Sequence, residues 1–415
     1  MKVFVGIREL VTMSGHGPSP EDRLGVVGDA ALAVDDAGRV AWLGPAAEVA
    51  QHAPDGERVD LGGAVVLPGL VDPHTHLVFA GDRAADFEAR CRGESYAQIA
   101  ARGGGIRTTV RATRAASEDE LEALARPRLA ALLAAGATTV EVKSGYGLSV
   151  DDELKQLRVV RRLAHGPQRL VPTLLLHMVP DERAQDRAGW VRECCQTLMP
   201  AVRDEGLARA VDVFCDVGAF SRDEAQTLLA HARALGFDVK AHVEQLTATG
   251  FGVDACRLGA RSLEHLEHVD AQVIAAMREA GTVAVLLPGA SVFLGDRARP
   301  PVAALRAAGV PMALATDLNP GSSPTADPWL VATLACTQYG LTPAEALLGL
   351  TRHGALALGL GDGRGAIALG APADLAVAGP AIASWRHLLY GLGHRPIART
   401  FIAGAQVAAT PTSRA

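Results

Sequence analysis

The stretch Val65-Val66-Leu67-Pro68-Gly69-Leu70-Val71-Asp72-Pro73-His74-Thr75-His76 is an apolar, β-branched run that ends in two histidines one residue apart. Side chains alternate faces along a strand, so His74 and His76 project to one side while Thr75 points to the other. Two imidazoles side by side where a buried strand meets solvent can grip one divalent ion.

Outward from this run, one theme repeats between about residues 65 and 320. A short β-branched run ends in a polar group and is followed by an Ala/Leu/Arg/Glu-rich helical stretch. Eight such runs occur: Val65–Val71, Thr138–Val142, Leu170–Leu176, Ala210–Phe214, Asp238–Ala241, Arg261–Leu266, Val283–Leu287 and Pro311–Ala315. Helices are plain in Glu118–Ala135, capped by Ser117, and in Arg222–Leu235, before Gly236. Eight strand–helix units over roughly 250 residues predict a (β/α)8 TIM barrel rather than an open doubly wound sheet. A glycine fingerprint for a dinucleotide is absent from the sequence.

Barrel enzymes carry their chemistry at the C-terminal ends of the strands. The first run delivers His74 and His76, the second Lys143 and Tyr146, the third His177, the fifth His242 and Gln245, the sixth His265 and His268, and the eighth Asp317. Only the fourth and seventh offer no obvious candidate. His74, His76 and His242 supply nitrogen donors and Asp317 an oxygen, which leaves a position for water and suits zinc or iron(II). Such an ion makes water a nucleophile at neutral pH, which is hydrolase chemistry. Asp317 can take the water's proton and His265 can pass it on.

The 415 residues are 49% apolar, ample for a large core, and carry a formal net charge of −6, which argues against nucleic acid and for a small-molecule partner. The N-terminus lacks the pattern of a signal peptide, and no apolar run reaches the roughly 20 residues of a membrane span, so a soluble, cytoplasmic protein is expected, with no membrane contact. Six scattered cysteines without Cys-x-x-Cys spacing read as reduced, packed thiols. A homodimer is the default expectation for such an enzyme.

The segment Pro68-Gly69-Leu70-Val71-Asp72-Pro73-His74-Thr75-His76, with His242, His265 and Asp317 after later strands, resembles the amidohydrolase superfamily. That resemblance extends to the chain ends: Gly365-Ala366-Ile367-Ala368-Leu369-Gly370-Ala371-Pro372-Ala373-Asp374-Leu375-Ala376-Val377 looks like the family's return into a small β-sandwich domain formed from both chain termini. Val26–Val34 and Arg39–Leu43, joined by the turn Asp35-Asp36-Ala37-Gly38, read as its N-terminal part. The implied division is 1–63 and 361–415 for the sandwich and 64–360 for the barrel.

Within that superfamily the chain most resembles the imidazolonepropionases of histidine degradation. Four stretches carry the likeness: Val78-Phe79-Ala80-Gly81-Asp82-Arg83; Gly93-Glu94-Ser95-Tyr96 through Gly103-Gly104-Gly105-Ile106; Glu141-Val142-Lys143-Ser144-Gly145-Tyr146-Gly147; and Thr316-Asp317-Leu318-Asn319-Pro320-Gly321-Ser322-Ser323-Pro324. The resemblance implies hydrolysis of the lactam of 4-imidazolone-5-propanoate to N-formimidoyl-L-glutamate. Arg83, just past the metal strand, suits the propionate as a bidentate partner, and Tyr146 offers a hydroxyl. By the same likeness His177, Gln245 and Ser322 contact the imidazolone, and Asn319 and Gly321 lie against the substrate or product backbone. The carbonyl would be polarised by the metal or by His177, with His265 and Asp317 as proton carriers.

Other residues take plainer readings. Lys143 is expected in a structural or loop-anchoring role rather than as a carboxylated bridge between two ions, and His268 in a turn or behind the ligands. Gly103-Gly104-Gly105 reads as a lid or a close substrate approach, and Arg102, Arg107, Arg111 and Arg114 as a solvated helix face or subunit contact. Many deaminating relatives resemble one another in a glutamate three residues after the fifth-strand histidine. Here that position is Gln245, with Glu244 one residue earlier as a reserve proton carrier. An aminohydrolase for another heterocycle and a catalytically dead binding barrel are the competing expectations.

Overall fold

The computed structural model describes residues 1–94, 98–99 and 103–409. Ser95, Tyr96 and Arg102, singled out above, lie outside the described residues.

Four strands open the chain: β1 (Lys2–Val11), β2 (Val26–Val34), β3 (Val40–Pro45) and β4 (Glu57–Pro68). The next eight are β5 (Leu70–Asp72), β6 (Ala137–Lys143), β7 (Arg169–Leu176), β8 (Ala210–Cys215), β9 (Asp238–Val243), β10 (Ser262–His265), β11 (Val283–Leu286) and β12 (Met312–Leu314). Three close the chain: β13 (Leu375–Ala378), β14 (Ile397–Ile402) and β15 (Ala405–Ala409).

Strands β5 to β12 pair in sequence order, each parallel to the next. The ring closes where the first and eighth strands end. Asp317 N donates to His74 O at 3.0 Å, and His76 N donates to Leu318 O at 3.0 Å. Just below, the Asp72 carboxylate accepts from Thr316 N at 3.1 Å and Thr316 Oγ1 at 2.6 Å. The seam of the (β/α)8 barrel therefore runs through three of the expected metal ligands, His74, His76 and Asp317.

The remaining strands form a seven-stranded mixed sheet in the order β15-β14-β13-β4-β1-β2-β3, built from both ends of the chain. Phe4 meets Phe401 edge-on in its core, with ring centroids 5.1 Å apart. The sheet corrects one reading. The run Val65–Val71 is not a single barrel strand: its first residues complete β4, where Val66, Leu67 and Pro68 pair with β13, and only Leu70–Asp72 enters the barrel. Gly69 makes the handover, donating its N–H to Asp374 O at 2.8 Å. A Cβ there would lie 2.2 Å from Thr138 Oγ1, so the crossing demands glycine.

Alternation along the barrel strands sorts their side chains into two layers. Val140, Val142, Val211, Val213, Val239, Ala241, Val243 and Leu263 join the core under the helices. On the inner side, Glu141, Lys143, Asp212, Lys240 and Glu264 are wholly buried with one another, whereas Val283, Val285, Ala313 and Ala315 fill the opposite half. Branched apolar residues usually fill a barrel interior. Here five charged residues stand inside it. Among the described residues no helix is long and apolar enough to cross a membrane, and all six cysteines are free thiols.

Candidate active site

His74 and His76 leave β5 on one face, His242 stands on β9, and Asp317 follows β12. All four are buried, and ring nitrogens of the three histidines fall within 4.8 Å of one another. His74 Nε2 and His76 Nε2 are 3.0 Å apart, and Asp317 Oδ1 lies 3.3 Å and 3.4 Å from them. Four tetrahedral donors about 2.05 Å from a zinc ion would stand roughly 3.3 Å apart. Asp317 reaches this place with φ 51°, a backbone conformation rare outside glycine.

Behind the histidines stand carboxylates. His74 Nδ1 is 2.6 Å from Glu264 Oε2, and His242 Nδ1 is 3.0 Å from Asp212 Oδ1. An ion held at the Nε2 atoms would keep the ring protons on Nδ1, facing these carboxylates. His242 Nε2 is buried with no hydrogen-bond partner among the described residues. The electrostatics ask for a cation too. Burial disfavours a charged His74, but the Glu264 carboxylate outweighs this and raises its pKa to about 9. Burial opposes ionisation of Asp317 as well, yet His74 and His76 hold it well below the usual carboxylate range. Burial lowers His76 and takes His242 well below the usual histidine value, where His74 adds to the effect. The residues thus fit a divalent ion, and the donor set is shared with metal-dependent hydrolases.

The carboxylates in turn rest on two buried ammonium groups. Lys143 Nζ lies 2.7 Å from Asp212 Oδ2, 2.9 Å from Glu141 Oε2 and 3.0 Å from Glu264 Oε2. Lys240 Nζ lies 2.7 Å from Glu141 Oε1 and 2.8 Å from Glu264 Oε1. Burial alone would lower the Lys143 pKa, but the three carboxylates raise it well above the ordinary value. Lys143 and Lys240 correspondingly overcome burial and hold Glu264 well below its ordinary value. Lys143 is therefore structural, as expected, but in the barrel interior rather than at a loop. The fourth strand, thought to offer no candidate, supplies Asp212. Sequence reasoning missed Asp212, Glu264, Glu141 and Lys240. Their one signal is a charged residue at every second position within otherwise apolar strands, as in Glu141-Val142-Lys143 and Lys240-Ala241-His242.

His177 and Tyr146 complete one wall. The His177 ring lies nearly parallel to His76, centroids 6.2 Å apart, and 5.9 Å from Tyr146. Burial and nearby His76 push the His177 pKa down to about 4. It is neutral at pH 7, and its Nδ1, 3.1 Å from Gly145 O, must be the donor, so its Nε2 is an acceptor. Burial raises the Tyr146 pKa and keeps the phenol protonated. The loop carrying Tyr146 is fastened by Glu153, whose oxygens accept from the N–H groups of Gly145, Gly147 and Leu148, each at 2.8 Å. A Cβ on Gly147 would lie 2.5 Å from the Asp152 backbone.

Arg83 is paired through Nε with Asp86, which also accepts from Gly105 N at 2.9 Å. Its Nη1 lies 3.1 Å from where a Gly321 Cβ would stand. Asn319 Oδ1 accepts from Gly321 N and Ser322 N, both at 2.8 Å, and Ser322 Oγ is 3.2 Å from Asp317 Oδ2. Arg83, Asn319, Gly321, Ser322 and Asp317 thus form one continuous rim. Gln245 is anchored by its N–H on Asp216 Oδ2 at 3.0 Å.

Other residues are not brought to the site. Glu244, at φ 57°, folds away to accept from Thr249 N at 2.7 Å and Thr249 Oγ1 at 3.1 Å, so it is no reserve proton carrier. His268 is exposed on the following turn. Of the arginine series, Arg107 and Arg111 are exposed, as expected of a solvated helix face, and Arg114 is half-buried. Arg107 pairs with Asp181, Arg111 reaches Gly103 O at 2.9 Å, and Arg114 reaches Gly147 O and Leu148 O at 2.6 Å and 2.8 Å.

The family model described as Amidohydrolase family matches residues 65–407. The chain is 51% identical to the imidazolonepropionase of Caulobacter vibrioides (strain NA1000 / CB15N) over 379 residues, covering 90% of this chain and 93% of that one. It is 48% identical to the imidazolonepropionase of Paracoccus denitrificans (strain Pd 1222) over 406 residues, covering 96% and 98%. Among solved structures it is similar in fold to an adenosine deaminase from Xanthomonas campestris with bound zinc, with TM-score 0.68 and 20% identity over 97% of this chain and 92% of that chain. It is likewise similar to Escherichia coli guanine deaminase, with TM-score 0.69 and 17% identity over 99% and 100%. Identity near one half, sustained across almost the whole length and joined to the family match, places this chain in the amidohydrolase family and, within it, among the imidazolonepropionases.

Proposed function

We propose that the protein is an imidazolonepropionase that adds water across the lactam bond of 4-imidazolone-5-propanoate and releases N-formimidoyl-L-glutamate. One observation carries the reading: His74, His76, His242 and Asp317 converge beside the Arg83–Gly321 rim, in a chain 51% identical to a relative of that name.

His74, His76, His242 and Asp317 would hold one divalent ion, zinc or iron(II), which when bound supplies water activated for attack and polarises the amide carbonyl. Arg83 receives the propionate. Asp86 occupies its Nε and fixes the guanidinium, which leaves the Nη edge free for a carboxylate, and the missing side chain at Gly321 keeps that edge open. Tyr146 donates its hydroxyl to the substrate's carboxylate or ring. His177, neutral with Nδ1 donating to Gly145 O, presents Nε2 as an acceptor and takes a ring N–H. It cannot at the same time polarise the carbonyl, for which the sequence leaves the metal or His177 as alternatives.

Asp317 and His265 carry protons between the attacking water and the departing ring nitrogen. Ser322, on Asp317 Oδ2, orients that carboxylate, and Ser322, Asn319, Gly321 and Gln245 line the substrate. Gln245 accepts and donates hydrogen bonds but takes no proton, which favours ring opening over deamination.

The test follows the loss of imidazolonepropionate absorbance with purified enzyme of known metal content, beside His74→Ala and Asp317→Asn. Turnover by the parent alone, with N-formimidoylglutamate as product, is the expected result. Bound metal without turnover would overturn the substrate assignment, and ammonia without a ring-opened acid would mark an aminohydrolase.

A further inference from the structure

His265 ends β10 with φ 78°, and Leu266 follows with φ 72°. Two consecutive left-handed residues with side chains are strained, and such strain persists only where its surroundings impose it. Here they do: Leu266 N donates to Val243 O at 3.3 Å and His268 N to Glu244 O at 2.7 Å, pinning the turn to the end of β9. Leu266 goes into the core with no exposure, while the Glu267 carboxylate is brought back, buried, to the side of His265.

What holds Glu267 there has a fixed direction. Ser291 Oγ lies 3.0 Å from Glu267 Oε1 and 2.7 Å from Tyr339 Oη. The carboxylate can only accept, so Ser291 donates to it and Tyr339 donates to Ser291. Tyr339 and Ser291 are themselves buried, in segments that follow β12 and β11. The chain ends on Glu267 Oε2, a buried oxygen with no hydrogen-bond partner among the described residues. His265 Nδ1, also buried and also without one, lies 3.7 Å away. A ring nitrogen that can donate and a carboxylate oxygen that accepts are thus left facing each other, less than 1 Å beyond hydrogen-bond length. Leaving each unpaired is destabilising. Bonds of this kind in ligand-free enzymes are often long and tighten when substrate binds.

We propose that Glu267, held by Ser291 and Tyr339, is the positioning residue for His265. It fixes the proton on Nδ1, so that Nε2 is the atom that takes up and returns a proton, and it stabilises the imidazolium formed in between. The imidazole sits where this is useful, its centroid 5.5 Å from that of His242 and 6.0 Å from that of His74. The catalytic consequence rests on the proton-carrier role given to His265 above, but the tautomer does not.

Two measurements separate these claims. Nitrogen-15 spectra of the holoenzyme, with His265 assigned by difference against His265→Asn, should show Nδ1 protonated in the parent and a mixed or reversed tautomer in Glu267→Gln and Glu267→Ala. That readout needs no turnover, so it stands even if imidazolonepropionate is not the substrate. In kinetics, Glu267→Gln should lower kcat by about 10- to 100-fold, the usual range for such supporting partners, with KM within about twofold and metal content unchanged. Ser291→Ala and Tyr339→Phe should cost less. In the His265→Asn background, Glu267→Gln should add nothing further. An unchanged His265 tautomer overturns the proposal, as does a fully additive double variant or a loss explained by metal release.

Discussion

Asp212 Oδ1 lies 3.0 Å from His242 Nδ1 while its other oxygen lies 2.7 Å from Lys143 Nζ, so one carboxylate ties a candidate metal ligand to the ionic interior of the barrel. Glu264 makes the same connection for His74. Replacing Asp212 by Asn removes the charge that orders the His242 ring and sets an amide near an ammonium. Metal affinity should fall about 10- to 100-fold, read by competition with a chromophoric chelator, with the fold kept. An unchanged affinity would separate Asp212 from the centre.

Lys143→Met should be far more damaging. It would leave Glu141, Asp212 and Glu264, all fully buried, with Lys240 as their one remaining ammonium partner. Breaking a buried ionic set by removing one partner costs about 3–5 kcal/mol. Denaturant unfolding should report a loss of that size or no folded protein. A loss under 1 kcal/mol would mean that the network relaxes freely.

Arg83→Lys tests the geometry of the rim. A lysine keeps the charge but neither the fork nor the pairing of Nε with Asp86. KM should rise about 10- to 100-fold, the equivalent of losing a charged hydrogen bond or two, with kcat changing much less. An unchanged KM would remove Arg83 from the propionate site.

Glu153→Gln acts on Tyr146 at one remove. Three backbone N–H groups at Gly145, Gly147 and Leu148 converge on this carboxylate, and an amide replaces one of its oxygens by a donor. The melting temperature should drop by several degrees, corresponding to about 1–3 kcal/mol, and kcat/KM should fall with it. A loss of stability without loss of activity would show the loop to be held by other contacts.

His353 gives a pH dependence far from the chemistry. Its Nδ1 lies 2.9 Å from Met312 O, and burial lowers its pKa to about 4. Between pH 6.5 and 4 the unfolded chain takes up a proton that the folded one refuses, so stability falls as the pH falls. At pH 5 the loss is at most about 2 kcal/mol. Thermal unfolding of His353→Asn should show a shallower decline between pH 7 and 5. An identical decline would assign the acid sensitivity elsewhere.

Much of this was readable in the chain before it folded. The eight strand–helix units follow from local period and composition, and seven of the eight runs became barrel strands. The exception is instructive: Val65–Val71 reads as one apolar strand, because nothing local distinguishes residues that pair with β13 from residues that pair with β6. His74 and His76 were legible because two residues of extended chain suffice to put them on one face. Asp317 stood out as a lone carboxylate after the eighth strand. Glu244 misled because its position suggests a partner for His242, while the left-handed turn at that residue sends it elsewhere.

What the sequence by itself determined is the order of strands and helices, the ends at which chemistry could gather, and the residue types that could hold a metal. Only the closed barrel decided which of them meet. Asp212 and His242 are 30 residues apart, and Lys143 and Glu264 are 121. Their alternation within apolar strands states that they face inward but not whom they face, because partners across a barrel are chosen by strand order, stagger and closure. The same holds for Glu267, Ser291 and Tyr339, which come from three different strand–helix units. Local chemistry is written along the chain; pairing between distant charges exists only after the apolar layer has folded around them and taken away the water that would otherwise solvate each one alone.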